Sequence, residues 1–313
     1  MFYRRKILLS LLQTFGDKLG KIDLQKLLFI FMQQKKENRE YDFIPYMYGC
    51  YSYSAVADLT TMTTQKLLAV EKNFFKKNDA NDYISLLSEQ DKNILQYVKN
   101  NFGNMKTNDL MRYVYAKFPY YAIKSVEAAK ILTEQELKNV EQSNPKNKET
   151  VLYTIGYEGI SLEEYLNRLI QNDIKILIDV RNNPKSMKFG FSKNQLSNYC
   201  KNLGIQYVHI PVLGIQSEQR RELNSQKDYD NLFADYCKNT LTKTKKEQER
   251  IFELLKTNKR IALTCFEKDI NQCHRKYLAN AIGKLPDFNY EVRHIIGVFY
   301  PPKSKPSLFG EDL

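Results

Sequence analysis

Residues 151–186 read VLYTIGYEGISLEEYLNRLIQNDIKILIDVRNNPKS, and the order of patterns in this stretch decides the fold. The apolar run VLYTI passes through a glycine turn, GYEGIS, into Leu162–Gln171, whose apolar residues recur at helical spacing. KILIDV then forms a second apolar run. Strand, helix and strand in that order make the βαβ unit of a parallel sheet. Ser161 and Glu164 have the spacing of a capping box, in which the two side chains satisfy orphan N–H groups at a helix start.

Toward the C-terminus the alternation continues. A helix is expected over Lys193–Leu203, with Ser192 and Gln195 as a second capping box, then a strand in IQYVHI and helices across 228–257. RIALTCF, Cys273–Lys284 and YEVRHII read as strand, helix and strand. Residues 151–313 are therefore expected to form an α/β, Rossmann-like domain with a parallel-rich sheet and helices on its faces. Upstream, the polar stretch QSNPKNKET at 142–150 marks a seam, giving a first domain over 1–142 and a linker over 143–150. The first domain reads as mainly helical. Ile7, Leu8, Leu11, Leu12 and Phe15 suit one amphipathic helix, and Leu24, Leu27, Leu28 and Phe31 suit another with Asp23 as N-cap. The short link GKLGKID makes them a helix-turn-helix-like, winged-helix-like pair. FIPYMYG reads as a small β element, and Ser54–Leu68, Glu89–Phe102 and Thr107–Lys117 as further helices.

The chain has 313 residues and a formal charge of +12, enough length for two cores and a bias toward polyanions such as nucleic acid or nucleotides. The excess is local. Residues 1–36 hold eight basic and two acidic side chains, and residues 181–221 hold seven basic and one acidic. No apolar run approaches the roughly 18–20 residues of a membrane span, and the N-terminus lacks a small-residue cleavage site, so a cytoplasmic protein with no membrane partner is expected. Five irregularly spaced cysteines form no disulfide framework, which leaves reduced thiols as the default.

Ligands of open parallel sheets bind beyond the carboxyl ends of the strands, here after Ile155, Val180, Ile210 and Phe266. Asp179 and Arg181 end one strand, and the loop that follows carries Ser186 and Lys188. His209 ends another. Cys265, Glu267, Cys273, His274 and Arg275 converge in LTCFEKDINQCHRKYL, where a strand end meets a helix start. Asp179 and Glu267 are candidate general acids or bases, with Cys273 and His274 as nucleophile or proton shuttle. Arg181, Ser186, Lys188, His209 and Arg275 are candidate anion-binding groups. A helix N-terminus beside a cation favours thiolate, so Cys273 is expected to have a lowered pKa. The competing reading has Asp179 and Arg181 merely ordering a loop and the thiols filling a tight junction. The spacing of the cysteines and of His209, His274 and His294 matches neither a zinc finger nor an H-E-x-x-H helix, so no metal is expected. No cofactor can be named, since G-x-G-x-x-G, P-loop and G-x-S-x-G motifs are all missing.

In order, YTIGYEGISLEEYLNRL, LIDVRNNPKS, GIQYVHIPVLG, TCFE and CHRKYLANAI resemble the family called domain of unknown function 488, over about Val151 to Gly297. The resemblance implies a compact Rossmann-like domain whose cleft lies between the Asp-Val-Arg strand and the Cys-His-Arg helix start. Pro184, Leu213, Gly214 and Cys265 carry the match along with the candidates above. The family's opening motif is more often Gly-His-Ser, whereas this chain has Gly156, Tyr157 and Glu158, so a role for a first-loop histidine is absent or moved. The Asp-Val-Arg strand also resembles rhodanese domains, but the cysteine-headed loop closing on Arg is missing, which counts against sulfur transfer. DLQKLLFIF and FIPYMYGCYS resemble a Panacea or SocA-like domain over about Met1 to Phe118, which implies a partner-binding or regulatory module.

Two functions compete. One is an enzyme acting on a nucleotide or nucleic acid at a cleft lined by Asp179, Arg181, Cys273, His274 and Arg275. The alternative is a non-catalytic regulatory protein that binds nucleic acid or a protein partner, as a defence or toxin–antitoxin component.

Overall fold

The computed structural model describes residues 1–297 except Lys36, Arg221, Glu222 and Asn224. The chain divides into two compact units, one over Met1–Asn144 and one from Pro145 onward, with the division inside the polar stretch QSNPKNKET.

The first unit runs α1 (Tyr3–Thr14), β1 (Lys18–Gly20), α2 (Lys21–Gln34), β2 (Ile44–Tyr46), β3 (Gly49–Tyr51), α3 (Tyr53–Thr64), β4 (Leu68–Glu71), β5 (Phe74–Lys77), α4 (Glu89–Phe102), α5 (Thr107–Lys117), α6 (Ala128–Ile131) and α7 (Glu134–Ser143). FIPYMYG is the antiparallel hairpin β2–β3. The link between α1 and α2 is more than a turn. It contains β1, which pairs antiparallel with β5 in a sheet ordered β1-β5-β4. LAVE and FFKK, the strands β4 and β5, have only four residues each, too few for alternation to separate strand from helix or loop. Asp23 is not the N-cap of α2. Gly20 takes that place, and Asp23 lies in the first turn, where its charge still complements the helix dipole.

Four of the eight basic side chains of residues 1–36 form ion pairs inside this unit. Arg4 and Arg5 both pair with Asp58, at 2.6 and 2.7 Å, and Lys18 pairs with Glu71 at 2.7 Å. Lys35 lies between Glu40 (2.7 Å) and Asp91 (3.1 Å). Lys26 is buried, donates to the Cys50 carbonyl at 3.0 Å, and has its pKa lowered by burial. Part of the positive face expected from the sequence is therefore neutralised by ion pairs within the unit, and Lys26 is buried beneath it.

The second unit runs β6 (Val151–Gly156), α8 (Leu162–Gln171), β7 (Ile176–Asp179), α9 (Lys193–Asn202), β8 (Gln206–His209), α10 (Gln226–Asp235), α11 (Lys245–Asn258), β9 (Arg260–Cys265), α12 (His274–Ile282) and β10 (Glu291–Ile295). The sheet order is β10-β6-β9-β7-β8, and every neighbouring pair is parallel. The three interior strands, VLYTIG, RIALTC and ILID, are buried at every position, as continuous apolar runs covered on both faces must be. One face carries the core in which Leu152, Ile178 and Leu263 meet Phe233, Ile251 and Leu278 of α10, α11 and α12. Ser161 Oγ accepts from the Glu164 N–H at 3.0 Å, and the Glu164 carboxylate pairs with Arg168 at 2.6 Å. The second expected capping box does not form. Ser192 Oγ donates to Gln195 Oε1 at 2.9 Å, so the two side chains bond each other and the Ser192 side chain caps no backbone N–H.

The topology locates the crevice. From β7 the chain moves outward to β8, while from β9 it crosses the other way to β10. Loops leaving adjacent parallel strands in opposite directions open a cleft between their carboxyl ends. Here that places Asp179-Val180-Arg181 opposite Cys265-Phe266-Glu267.

Candidate active site

The end of β7 organises everything around it. Asp179 and Arg181 stand on the same side of the extended chain, two residues apart, and both are buried. Arg181 Nε donates to Asp179 Oδ1 at 2.8 Å and its NH2 donates to Asp179 Oδ2, a bidentate pair that the Arg181 backbone N–H supplements at 3.1 Å. Arg181 NH1 donates to Tyr157 Oη at 2.7 Å and to the Phe191 carbonyl at 2.9 Å. Tyr207 Oη donates to Asp179 Oδ2 at 2.6 Å. Burial alone would lower the Arg181 pKa, but its hydrogen bonds and charge attraction to Asp179 outweigh burial and raise it. With the donors of Arg181 largely taken up by protein and Asp179 already accepting from Arg181 and Tyr207, the pair orders the loop and neither group is presented to a ligand.

Tyr157, in the glycine turn after β6, is the anchor that sequence reasoning missed. Its ring stacks on Phe191 with centroids 4.2 Å apart, and its hydroxyl holds Arg181. A Tyr157→Phe variant keeps the stack but removes a hydrogen bond to a charged group, so urea unfolding should show a loss of about 1.5–3 kcal/mol. An unchanged midpoint would mean that Arg181 does not depend on the phenol.

Successive carbonyls of the same segment fix two histidines. His274 Nε2 lies 3.1 Å from the Val180 oxygen, and His209 Nε2 lies 2.8 Å from the Arg181 oxygen. A carbonyl only accepts, so Nε2 of each ring carries a proton. His209 is half-buried and lines an open pocket of ≈ 550 Å³ with Tyr207, Lys193, Asn194, Ser197 and Asn198. Ser186 Oγ accepts from the Lys188 backbone N–H at 3.2 Å, and Lys188 Nζ donates to the Tyr157 carbonyl at 2.8 Å. Burial holds the Lys188 ammonium below the usual lysine value.

At the end of β9, Cys265, Cys273 and His274 come together although their spacing matches no metal motif. One ligand atom from each lies within 4.8 Å of the other two, and all three residues are buried. The strand end and the α12 start are joined by eight residues, so proximity comes from the fold and is invisible to a spacing rule. Cys265 Sγ donates to Glu267 Oε2 at 3.1 Å. The expected lowering of the Cys273 pKa is not found. Its side chain is 0% exposed, and burial with the neighbouring Cys265 pushes the thiol well up, outweighing the Arg275 charge. Arg275 is equally buried and donates to the Glu267 carbonyl at 2.6 Å and the Lys268 carbonyl at 3.3 Å, so it clamps the β9 loop. Glu158 Oε2 accepts from the Lys268 N–H at 2.8 Å and ties the first loop to the same place. His294 stands apart from the trio, on β10, with Nδ1 2.9 Å from Thr154 Oγ1.

The basic stretch after Arg181 behaves differently from the N-terminal one. Lys185, Lys193 and Lys201 are exposed, and among the described residues no ion pair neutralises them. Arg221 lies outside the described residues. Met187, Phe189, Val212 and Phe266 add exposed apolar side chains after the carboxyl ends of β7, β8 and β9. In the first unit a second cavity, ≈ 570 Å³, opens between the start of α2 and the β2–β3 hairpin, with Met47, Tyr48 and Phe74 exposed at its lining.

Over residues 161–282 the C-terminal half matches the family model described as Domain of unknown function DUF488. Every candidate site residue lies within that span, while β6 and β10 lie outside it. No curated protein and no solved structure matches the chain.

Proposed function

We propose that the DUF488 region is an enzyme acting on a nucleotide or nucleic acid at the carboxyl edge of its sheet. The observation that carries this reading is His209. Its ring is oriented by the Arg181 carbonyl and opens on a pocket shared with Lys193, beside a lysine-bearing loop without internal counter-charges. His209 Nδ1 serves as the acid/base atom. Ser186, Lys188 and Lys193 hold phosphate, with Lys185 and Lys201 extending the track for a polymer. Asp179, Arg181 and Arg275 are positioning residues, and Cys273 and His274 are buried beneath this edge. The exposed Phe189 and Phe266 at the strand ends suit stacking against bases, as the aromatic side chains of single-strand binders do.

Removing a general acid or base costs about 10²–10⁴-fold in rate. Turnover of a panel of nucleotides and single-stranded oligonucleotides should therefore fall by at least about 10²-fold in His209→Ala. A folded His209→Ala protein with full turnover overturns the assignment. The binding component has its own test. Replacing Lys185, Lys193 and Lys201 with alanine should reduce the slope of log affinity against log salt by about 2 for a single strand, at roughly 0.7 per phosphate contact.

A second reading rests on the cavity of the first unit. Its apolar lining and the resemblance to antitoxin-associated domains support a protein partner there, in a regulatory or defence role. Copurification of one stoichiometric partner, lost on Tyr48→Glu, would favour it.

A further inference from the structure

We propose that Cys265, Cys273 and His274 form a binding site for a divalent, borderline-soft cation of the zinc class. The inference goes beyond the enzymatic reading and stands or falls separately from it.

Donor geometry is the first argument. Zinc bound tetrahedrally to sulfur and imidazole nitrogen at about 2.3 and 2.0–2.1 Å sets an S···N separation of about 3.6 Å. Cys265 Sγ and His274 Nδ1 are 3.8 Å apart, and Cys273 Sγ lies within 4.8 Å of both. The Glu267 carboxylate accepts from Cys265 Sγ at 3.1 Å and supports that ligand from outside the cluster. Three protein donors, two sulfurs and one nitrogen, would leave the fourth zinc position to water, as in open sites with two cysteines and one histidine.

The supporting groups are the second argument. Metal-bound histidines donate their other ring N–H to a carbonyl or carboxylate, which fixes the tautomer and ring orientation. His274 Nε2 is held in this way by the Val180 carbonyl at 3.1 Å, with Nδ1 on the side of the thiols, 3.8 Å from Cys265 Sγ. This is the orientation a ligand nitrogen requires.

Charge is the third argument. Arg275 is 1% exposed, and among the described residues its hydrogen-bond partners are the Glu267 and Lys268 carbonyls, its Nε has none, and no carboxylate pairs with it. A buried guanidinium without a counter-anion is costly. Two thiolates, the adjoining Glu267 carboxylate, a neutral imidazole and a dication carry a net charge of −1, and Arg275 makes the whole neutral. Binding would release the two thiol protons to solvent, with no change of oxidation state.

The test is titration of the reduced, metal-free full chain with Co(II) alone. One equivalent should bind and produce a thiolate-to-cobalt charge-transfer band in the near ultraviolet. Zn(II) should displace it and raise the unfolding temperature. Cys273→Ser should weaken binding by more than about 100-fold, beyond the 10–100-fold that loss of an outer-shell partner costs. Glu267→Gln, a milder change, should weaken it while retaining the band, which keeps the test open should Cys273→Ser fail to fold. Folded wild-type protein with no stoichiometric band, or a Cys273→Ser protein with an unchanged one, overturns the proposal. A metal-binding protein without turnover would leave this site standing and remove the enzymatic reading.

Discussion

Arg181→Ala is expected to cost the C-terminal unit about 3–5 kcal/mol, because it leaves a buried carboxylate without its counter-charge. Asp179 is 0% exposed and takes three of its hydrogen bonds from Arg181. Without the guanidinium, Tyr207 Oη remains as a donor to Asp179, and the Tyr157 hydroxyl and Phe191 carbonyl lose the group that joins them. The loop after β7 would loosen along with the carbonyls that hold His209 and His274. Removing both charges should hurt less than removing one, so Asp179→Leu combined with Arg181→Met should recover much of the loss. Urea unfolding of wild type, both single variants and the double variant measures this as a cycle. Equal, additive losses for the two single changes would show that the pair does not act as a unit.

Gly156→Ala is the second large effect. A Cβ at Gly156 would stand 1.9 Å from the Glu267 carbonyl oxygen and 3.2 Å from Arg275 NH2. The nearest obstacle is backbone, so no side-chain rotation relieves it, and the loops after β6 and β9 must separate. Overpacking of this kind costs about 1–3 kcal/mol. The displacement also pulls Glu267 away from Cys265, so Co(II) affinity should fall with stability, although residue 156 carries no ligand. A Gly159→Ala control has open space around its Cβ, and its penalty comes from a left-handed φ of 77° alone. Gly156→Ala as stable as wild type would mean that the two loops are not in contact.

The parts of this fold that the sequence displays are those where one physical signal dominates. VLYTIG, ILID and RIALTC are buried on both faces, so they are continuous apolar runs, and the amphipathic helix after Ser161 could be placed to the residue. In the first unit, β4 and β5 are short and mix Phe with Lys, and the helix-to-helix link hides a strand because its pairing partner lies more than fifty residues away. The charge excess of residues 1–36 was legible, but its fate was not. Asp58, Glu71 and Asp91 lie on distant segments, and no local pattern shows that they meet Arg4, Lys18 and Lys35.

The site divides in the same way. Asp179, Arg181, His209 and the Cys-His-Arg helix start could be singled out because a parallel sheet places strand ends together. Their roles could not, since burial decides them. The same Arg181 that reads as an anion clamp in sequence is enclosed by Asp179, Tyr157 and Phe191. The helix N-terminus that would activate Cys273 is overridden by desolvation. Tyr157 and Tyr207 gave no motif at all. No helix among the described residues is long and apolar enough to cross a membrane.

The central claim is that the anion site lies at the carboxyl edge of the second unit and not on the N-terminal helices. Hydrogen–deuterium exchange of the full chain, with and without a saturating single-stranded oligonucleotide, tests it most directly. The account predicts slowed exchange in 181–201 and 205–214, with residues 1–35 unchanged. Protection confined to residues 1–35 would contradict it.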